Sequence, residues 1–168
     1  MPVRAVGMSE NWRHHFHQGL SLVADEDFGQ AVVSFSQALV EAPDDCVAQC
    51  YATRGYAHLC NGQFERALED CNLAVEHDPS DGEAHAWRGS AHAGLRNWRA
   101  VMDDYLDAIA LSPDKEQEYR EVLLTHVEEA IADFTRVIRG GSATPDVFRN
   151  RARDRKSTRL NSSHTDIS

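Results

Sequence analysis

The sequence contains no run of about 18 apolar residues, the length that a membrane-spanning helix requires. Its first ten residues lack the apolar segment of roughly 7 to 15 residues found in secretory signals. Basic residues are also scarce, since 17 Lys and Arg stand against 27 Asp and Glu, a formal charge of -10. A surplus of negative charge repels nucleic acids. The composition therefore predicts a soluble, cytoplasmic protein that binds neither nucleic acid nor membrane.

The common catalytic motifs are missing as well. The sequence has no nucleophile elbow, no phosphate-binding loop, no HExxH zinc motif and no dinucleotide-binding glycine pattern. Two acidic pairs, Glu69 with Asp70 and Asp103 with Asp104, are immediate neighbours on predicted helices, so their side chains diverge. We expect both pairs to lie on solvent-exposed faces. No catalytic residue and no cofactor is predicted, and the chain is not expected to be an enzyme.

Cysteine and histidine do not form an obvious metal site. The four cysteines lack the C-x-x-C spacing typical of zinc sites, and we expect reduced, partly buried thiols at Cys46, Cys50, Cys60 and Cys71. On a helix, His14 and His17 share one face whereas His15 points elsewhere, so only two imidazoles of this cluster can converge. No metal site is predicted, although zinc binding at this helix remains a lesser alternative.

The strongest signal in the sequence is an internal repeat. Glycines recur at positions 19, 55 and 89, that is, at spacings of 36 and 34 residues, and each is followed by matching residues at the same four offsets. These residues are Ala31, Phe35, Ala38 and Pro43 in the first unit, Ala67, Cys71, Ala74 and Pro79 in the second, and Val101, Tyr105, Ala108 and Pro113 in the third. A period of this length with helical spacing inside each unit indicates stacked helical hairpins.

Each residue type that recurs at a fixed offset has a physical reason. Glycine on one helix facing alanine on the next allows two antiparallel helices to approach closely. Proline ends a helix, because it lacks an N–H group and disfavours helix in the preceding residue, and the Asp or Ser that follows can cap the next helix. Within the units, the hairpin bends are predicted at residues 25–27, 61–62 and 96–97.

These residues and spacings resemble the tetratricopeptide repeat, and three full units cover Trp12 to Asp114. The resemblance implies an all-α, right-handed solenoid of stacked antiparallel helix hairpins, with partner peptides bound along a concave face formed by the first helices. The sequence departs from the family pattern at five positions: Cys71 replaces the aromatic residue, Val101 replaces a small residue, and Gln18, Arg54 and Arg88 stand where the family often has leucine.

By the frame of the repeat, ten residues are expected to line this concave groove. They are Arg13, Phe16, His17, Leu20, Gln49, Thr53, Tyr56, Glu83, Trp87 and Ser90, and we call this set the groove face. Trp, Tyr and Arg are enriched at interface hot spots. The alternative for the three aromatic residues is that they partly pack between adjacent repeats.

One subtype of the family binds the terminal carboxylate of chaperone tails with a clamp of Lys, Asn and Arg side chains. At the matching positions this sequence has Phe16, Leu20, Thr53, Glu83 and Trp87, so the clamp is absent.

The predicted domains are a disordered N-terminus at 1–11 and a repeat domain at 12–139, with units at about 12–45, 48–81 and 82–115 and a degenerate fourth at 116–141. That fourth unit carries Ala130, Phe134 and Val137 at second-helix spacing, with Glu118 at the glycine position. It is either one long helix or a tightly broken pair. Residues 142–153 are expected to begin a truncated further repeat.

Residues 154–168 form a polar tail that breaks the repeat, and its stretch 154–164 resembles a translated sequencing-library adapter. We therefore expect this tail to be non-native and the chain to be a fragment.

The favoured hypothesis for function is a protein–protein interaction scaffold that binds a partner peptide or domain in the groove. The alternative is that the repeats form an accessory or regulatory segment of a larger enzyme whose catalytic part is missing beyond residue 153.

Overall fold

The computed structural model describes residues 11–140, and this part of the chain is entirely helical, without a strand. The predictions for residues 1–10, 142–153 and 154–168 therefore lie outside the described residues. The helices are α1 Asn11–Ala24, α2 Phe28–Glu41, α3 Val47–Cys60, α4 Phe64–His77, α5 Gly82–Gly94, α6 Trp98–Leu111 and α7 Glu116–Gly140, with a short 3-10 turn at Pro113–Lys115 before α7. No helix in the described range is long and apolar enough to cross a membrane.

The first six helices form three successive hairpins, which confirms the predicted architecture. Helix α1 packs against α2, α3 against α4 and α5 against α6, and each hairpin also contacts the next through α2 with α3 and α4 with α5. The repeated glycines lie where the two helices of a hairpin meet. A Cβ atom added at Gly55 would lie only 2.8 Å from the Sγ atom of Cys71 and 3.4 Å from the carbonyl oxygen of Ala67. Glycine is therefore required there because a side chain would separate the helices.

The hairpin bends fall where the sequence predicts them, and each contains one residue in the left-handed region. Glu26, Gly62 and Arg96 have φ values of 59°, 69° and 58°. The connection between the second and third hairpins supplies a side-chain cap: the carboxylate of Asp81 accepts hydrogen bonds from the backbone N–H groups of Glu83 at 2.9 Å and Ala84 at 3.2 Å. This cap satisfies N–H groups that have no partner within helix α5. At the start of α3, Cys46 makes no such side-chain hydrogen bond, so the predicted cap after Pro43 is not formed.

Helix α7 resolves the alternative left open for the fourth unit, because it runs without a break from Glu116 to Gly140. Its contacts also correct the predicted frame. Tyr119 and His126 contact Tyr105, with ring centroids 6.4 and 5.7 Å apart. In the first hairpin the residue at the same repeat position as Tyr105 is Phe35. It shares a buried cluster with Cys50 and Ala57 of the next helix, α3.

This correspondence places Tyr119 at the position of Cys50. The glycine position, five residues later, is then Leu124 instead of Glu118. In the second unit the left-handed bend residue, Gly62, lies twelve residues after Cys50. Twelve residues after Tyr119 is Ile131, which therefore holds the bend position in α7. A β-branched residue strongly disfavours positive φ. The helix therefore continues at the point where the three earlier units turn back.

The chain divides into two compact units, residues 1–127 and 128–168. In the first unit the core consists of small and aromatic residues between the helices, including fully buried Phe35, Cys71 and Tyr105. The described part of the second unit is the C-terminal half of α7, residues 128–140.

Candidate functional site

The ten residues of the groove face lie on the first helix of each hairpin, namely α1, α3 and α5. They differ in how much of each side chain reaches solvent. Arg13, His17, Leu20 and Gln49 are exposed, Thr53, Tyr56, Glu83, Trp87 and Ser90 are partly exposed, and Phe16 is buried. Helix α3 also contacts α5 directly, so the second and third of these helices are neighbours.

Phe16 contributes to the core of the first hairpin. It is only 6% exposed, and its ring centroid lies 5.6 Å from that of Phe35 and 6.1 Å from that of Trp12. A ring so enclosed offers little surface to a ligand. At this position the structure therefore favours packing, the alternative that the sequence left open.

Tyr56 and Trp87 form an aromatic pair between the second and third hairpins. Their ring centroids are 5.1 Å apart with an interplanar angle of 36°. Trp87 packs on a buried cluster of Ala52, Ala74 and Ala84, which fixes one side of the indole. A hydrogen bond with Cys60, together with partial burial, raises the pKa of the Tyr56 phenol. The pair therefore presents a partly exposed apolar surface on a rigid support.

Polar groups beside this pair are already partnered. The Thr53 hydroxyl donates to the carbonyl oxygen of Gln49 at 2.9 Å, and the hydroxyls of Ser90 and Tyr105 are 2.7 Å apart. Glu83 forms an ion pair with Lys115. The hydrogen bond to Glu83 raises the pKa of the Lys115 ammonium. Glu83 therefore does not leave an unbalanced negative charge at this end of the face.

The first hairpin supplies the positive charge of the groove face. The Arg13 guanidinium lies 5.5 Å from the ring centroid of Trp12, within the range of a cation–π interaction. His17 is exposed on the same helix, and its ring lies edge-on to Phe16 at 6.1 Å. A ligand that extends from the aromatic pair toward α1 would thus pass from an apolar surface to the single guanidinium of Arg13.

The structure corrects the prediction for one member of each acidic pair. Glu69 and Asp103 are exposed as expected, but Asp70 and Asp104 are only 4% exposed. The two oxygens of Asp70 accept hydrogen bonds from Nε and Nη2 of Arg54, both at 2.7 Å. This bidentate geometry is the strong form of an arginine–carboxylate pair.

The third hairpin repeats this arrangement. One oxygen of Asp104 accepts hydrogen bonds from Nε and Nη2 of Arg88 at 2.8 and 2.5 Å. In both hairpins a histidine lies 3.8 Å from the carboxylate, His58 in the second and His92 in the third.

A signal for these pairs was present in the sequence, because Arg, His and Asp each recur after 34 residues. The frame of the repeat marks Arg54 and Arg88 only as departures from leucine, so it does not predict their pairing with Asp70 and Asp104. The buried pairs lie between the helices of a hairpin and not on the groove face, so their role is to hold the hairpin together.

The thiols agree with the prediction at three of four positions. Cys50 and Cys71 are buried, Cys46 is partly buried and Cys60 is exposed, and all four are free. Burial raises the pKa of the Cys50 thiol to about 11 and that of Cys71 to about 12. Among residues 11–140 no group of three metal-ligating side chains is close enough to hold an ion.

Comparison with known proteins agrees with the repeat. Residues 48–81 match the family model of the tetratricopeptide repeat. Sperm-associated antigen 1 from Rattus norvegicus is 30% identical over 105 residues, 62% of this chain and 12% of that protein. A protein SGT1 homolog from Oryza sativa subsp. japonica is 35% identical over 77 residues, 46% of this chain and 20% of that protein. The chain thus spans a fifth or less of the length of these two relatives.

Solved structures with the same arrangement of helices establish the fold. The first tetratricopeptide-repeat domain of Spaghetti (RPAP3), bound to the HSP90 peptide SRMEEVD, superposes with a TM-score of 0.66 at 22% identity, covering 74% of this chain and 95% of that one. The TPR2B domain of yeast Sti1, in complex with an Hsp70 peptide, gives 0.67 at 20% identity, covering 72% and 99%. The described chain therefore has the tetratricopeptide-repeat fold.

Proposed function

We propose that this chain is a protein–protein interaction scaffold that binds a segment of a partner protein along the groove face. The observation that carries the proposal is the aromatic pair of Tyr56 and Trp87, which is held rigidly yet partly exposed on the face formed by the first helices. Support also comes from the fold relatives, of which the Spaghetti domain and the yeast Sti1 domain were solved with peptides bound. Partner binding, and not catalysis, is thus the proposed activity, in the cytoplasm and without nucleic acid or membrane as partner.

The chemistry of the groove face suggests what kind of segment it binds. Apolar and aromatic side chains suit the pair of Tyr56 and Trp87, because large flat rings bury apolar area with little loss of rotamer freedom. The positive charge of Arg13 favours an acidic residue toward α1. Glu83 is neutralised by Lys115, so neither a strong cation nor a strong anion is expected beside Trp87.

Binding of a terminal carboxylate is not part of this proposal. The clamp positions hold Phe16, which is buried, and the uncharged Leu20, Thr53 and Trp87. The fifth clamp position holds the acidic residue Glu83. None of the five positions therefore carries a positive charge that could bind a carboxylate. We therefore propose that the partner segment is recognised internally, through its side chains and backbone.

A library of displayed peptides, followed by fluorescence anisotropy on selected sequences, tests the proposal. Replacing Tyr56 and Trp87 together by alanine should weaken binding at least about tenfold, since each aromatic anchor contributes 1 kcal/mol or more. A matched control replaces Val40 and Met102, exposed apolar residues on the second helices α2 and α6, by alanine and should leave binding unchanged. Equal losses in the two variants, or no peptide that binds the wild type, would refute the proposal.

The peptide SRMEEVD, named in the Spaghetti structure, tests the carboxylate question separately. We expect its free-acid and C-terminally amidated forms to bind equally weakly. Stronger binding of the free acid by about tenfold or more, which corresponds to about 1.4 kcal/mol, would show that a terminal carboxylate is recognised.

A further inference from the structure

The first half of α7 stacks on the third hairpin in the same way as α3 stacks on the first. In the first hairpin the buried aromatic residue of α2 shares a cluster with Cys50 and Ala57, which lie seven residues apart on α3. The equivalent aromatic residue of α6, Tyr105, contacts Tyr119 and His126, which lie seven residues apart on α7. Two contacts at the same separation fix which side of α7 faces the third hairpin.

This orientation places three residues of α7 in line with the groove face. Apart from Phe16, the groove face occupies the places six and two residues before the repeated glycine and one residue after it. Leu124 holds the glycine position in α7, so the residues at the same three places are Glu118, Val122 and Thr125. All three are exposed and belong to the same compact unit as the three hairpins, residues 1–127. We call the groove face together with these three residues the extended groove.

The extended groove contains a row of residues whose charge changes from one end to the other. The row consists of the places six residues before the glycine position, which are occupied in order by Arg13, Gln49, Glu83 and Glu118. A positive charge thus stands at the α1 end of the row and negative charges stand toward α7.

The α1 end of the row has a positive charge that no neighbouring acid on the groove side cancels. Helices α1 and α3 contain no Asp or Glu. In the loop before α3, Asp45 accepts a hydrogen bond from the thiol of Cys46. The single acid of α2, Glu41, accepts a hydrogen bond from Asn11 at 3.4 Å. Asn11 is two residues before Arg13 and therefore lies on the opposite side of α1.

The α7 end of the row keeps a net negative charge. Lys115 forms an ion pair with Glu83. The hydrogen bond to Glu83 is the main cause that raises the pKa of the Lys115 ammonium, and the charge of Glu118 adds to it. Two carboxylates therefore share one ammonium. Arg120 pairs with Glu116 at 2.6 Å and, two residues after Glu118, lies on the opposite side of α7.

Apolar surface lies between the two charged ends. The aromatic pair of Tyr56 and Trp87 occupies the middle of the extended groove. Val122 has the same place in α7 as Trp87 has in α5 and is 36% exposed. A segment that crosses the extended groove therefore meets a cation first, then apolar side chains and finally an anion.

We propose that the extended groove selects a partner segment with an acidic residue at one end, apolar residues in the middle and a basic residue at the other end. This inference rests on the proposed function and adds the chemistry of the partner to it. Three steps between neighbouring helices, each roughly 8–10 Å, separate α1 from α7. An extended chain covers that span with about seven to nine residues.

A displayed library of random peptides tests the proposal on the full chain. The peptides have about twelve residues, which reach roughly 40 Å when extended, and linkers on both sides leave neither terminal charge free. We expect the selected sequences to share an acidic and a basic residue about seven to nine positions apart, with apolar residues between them.

Charge-reversal variants show which end of the extended groove selects which charge. Glu118→Lys should select peptides that are acidic at both ends, and Arg13→Glu should select peptides that are basic at both ends. The matched controls Glu69→Lys and Arg66→Glu change the net charge equally at exposed sites on the second helix α4 and should select the wild-type pattern. Far-UV circular dichroism verifies that each variant remains helical.

Fluorescence anisotropy with one selected peptide measures the contact with Glu118 directly. Replacing the basic residue of the peptide by glutamate should weaken binding to the wild type about fivefold, and Glu118→Lys should recover most of that loss. Both effects should diminish in high salt, because the charges are exposed.

The outcomes separate this inference from the proposed function. Selected peptides that are apolar without a charge pattern, and that need Tyr56 and Trp87 for binding, overturn the inference but leave the proposed function intact. A charge pattern that Glu118→Lys does not change also overturns it, since α7 is then not part of the binding surface. If the wild type selects no peptide at all, the proposed function fails and the inference fails with it.

Discussion

The buried pair of Arg54 and Asp70 allows a quantitative prediction about stability. Replacing Asp70 by alanine leaves a guanidinium whose side chain is only 22% exposed without its bidentate partner. Removing one member of a buried pair typically costs about 3–5 kcal/mol. Arg54 retains a hydrogen bond from Nη1 to the hydroxyl of Ser36 at 3.1 Å and some access to water. We therefore expect the lower end, about 3 kcal/mol in the free energy of unfolding.

Two further variants separate the ion pair from other effects. Glu69→Ala removes the neighbouring, exposed carboxylate and should change stability by less than about 0.5 kcal/mol. Replacing Arg54 and Asp70 together by leucine should restore stability to within about 1 kcal/mol of the wild type, because an apolar pair avoids the cost of burying charge.

Urea denaturation and thermal melting followed by circular dichroism give these values. For a chain of this size, 3 kcal/mol corresponds to a fall in midpoint of about 6–12 °C. If Asp70→Ala and Glu69→Ala had equal effects, Asp70 would not be the buried partner of Arg54. If the double leucine variant were as unstable as Asp70→Ala, an isolated buried charge would not be the cause of the lost stability.

Three other predictions follow from the packing. With a thiol reagent at about pH 8, Cys60 should react in the native protein, whereas Cys71, whose pKa is raised to about 12 by burial, should react only after urea unfolds the chain; equal rates would contradict the burial. Gly55→Ala should lower the midpoint of urea denaturation by the equivalent of about 1–3 kcal/mol, because the new Cβ meets Cys71, while Gly29→Ala, with space around it, should be neutral or stabilise the protein. Asp81→Ala should cost about 1 kcal/mol through loss of the cap on α5, measured in the same denaturation series, and no loss would mean that the cap is dispensable.

The repeated glycines, alanines and prolines were sufficient to predict the three hairpins and their bends, because these residues act locally. A glycine such as Gly55 is required by the contact it permits, and a proline such as Pro79 cannot continue a helix beyond its first turn. The fourth unit could not be placed in the same way. Its frame depends on Tyr119, which has no counterpart in type among the earlier anchors, the small residues Cys50 and Ala84. Only its contact with Tyr105 reveals the correspondence.

The groove face was predicted as a set of positions, but the sequence could not give the exposure of each side chain. Phe16 and Trp87 both belong to the groove face, three and two residues before the repeated glycine of their units, and yet Phe16 is buried, whereas Trp87 remains partly exposed. This offset of one residue turns the two side chains toward different partners. Phe16 packs against Phe35, but Trp87 packs against alanines too small to enclose an indole. Burial of Asp70 was missed for a related reason, because its partner Arg54 lies on another helix, 16 residues away.

The left-handed bends at Glu26, Gly62 and Arg96 also bear on how a chain of this kind gains or loses a repeat during evolution. A complete duplication of a unit copies its bend, so a new hairpin can form at once. A substitution at the single bend position can instead leave the last hairpin of an array as one continuous helix without any deletion. The sequence length of an array and its count of hairpins can therefore diverge, and the residue at each bend records where that has happened.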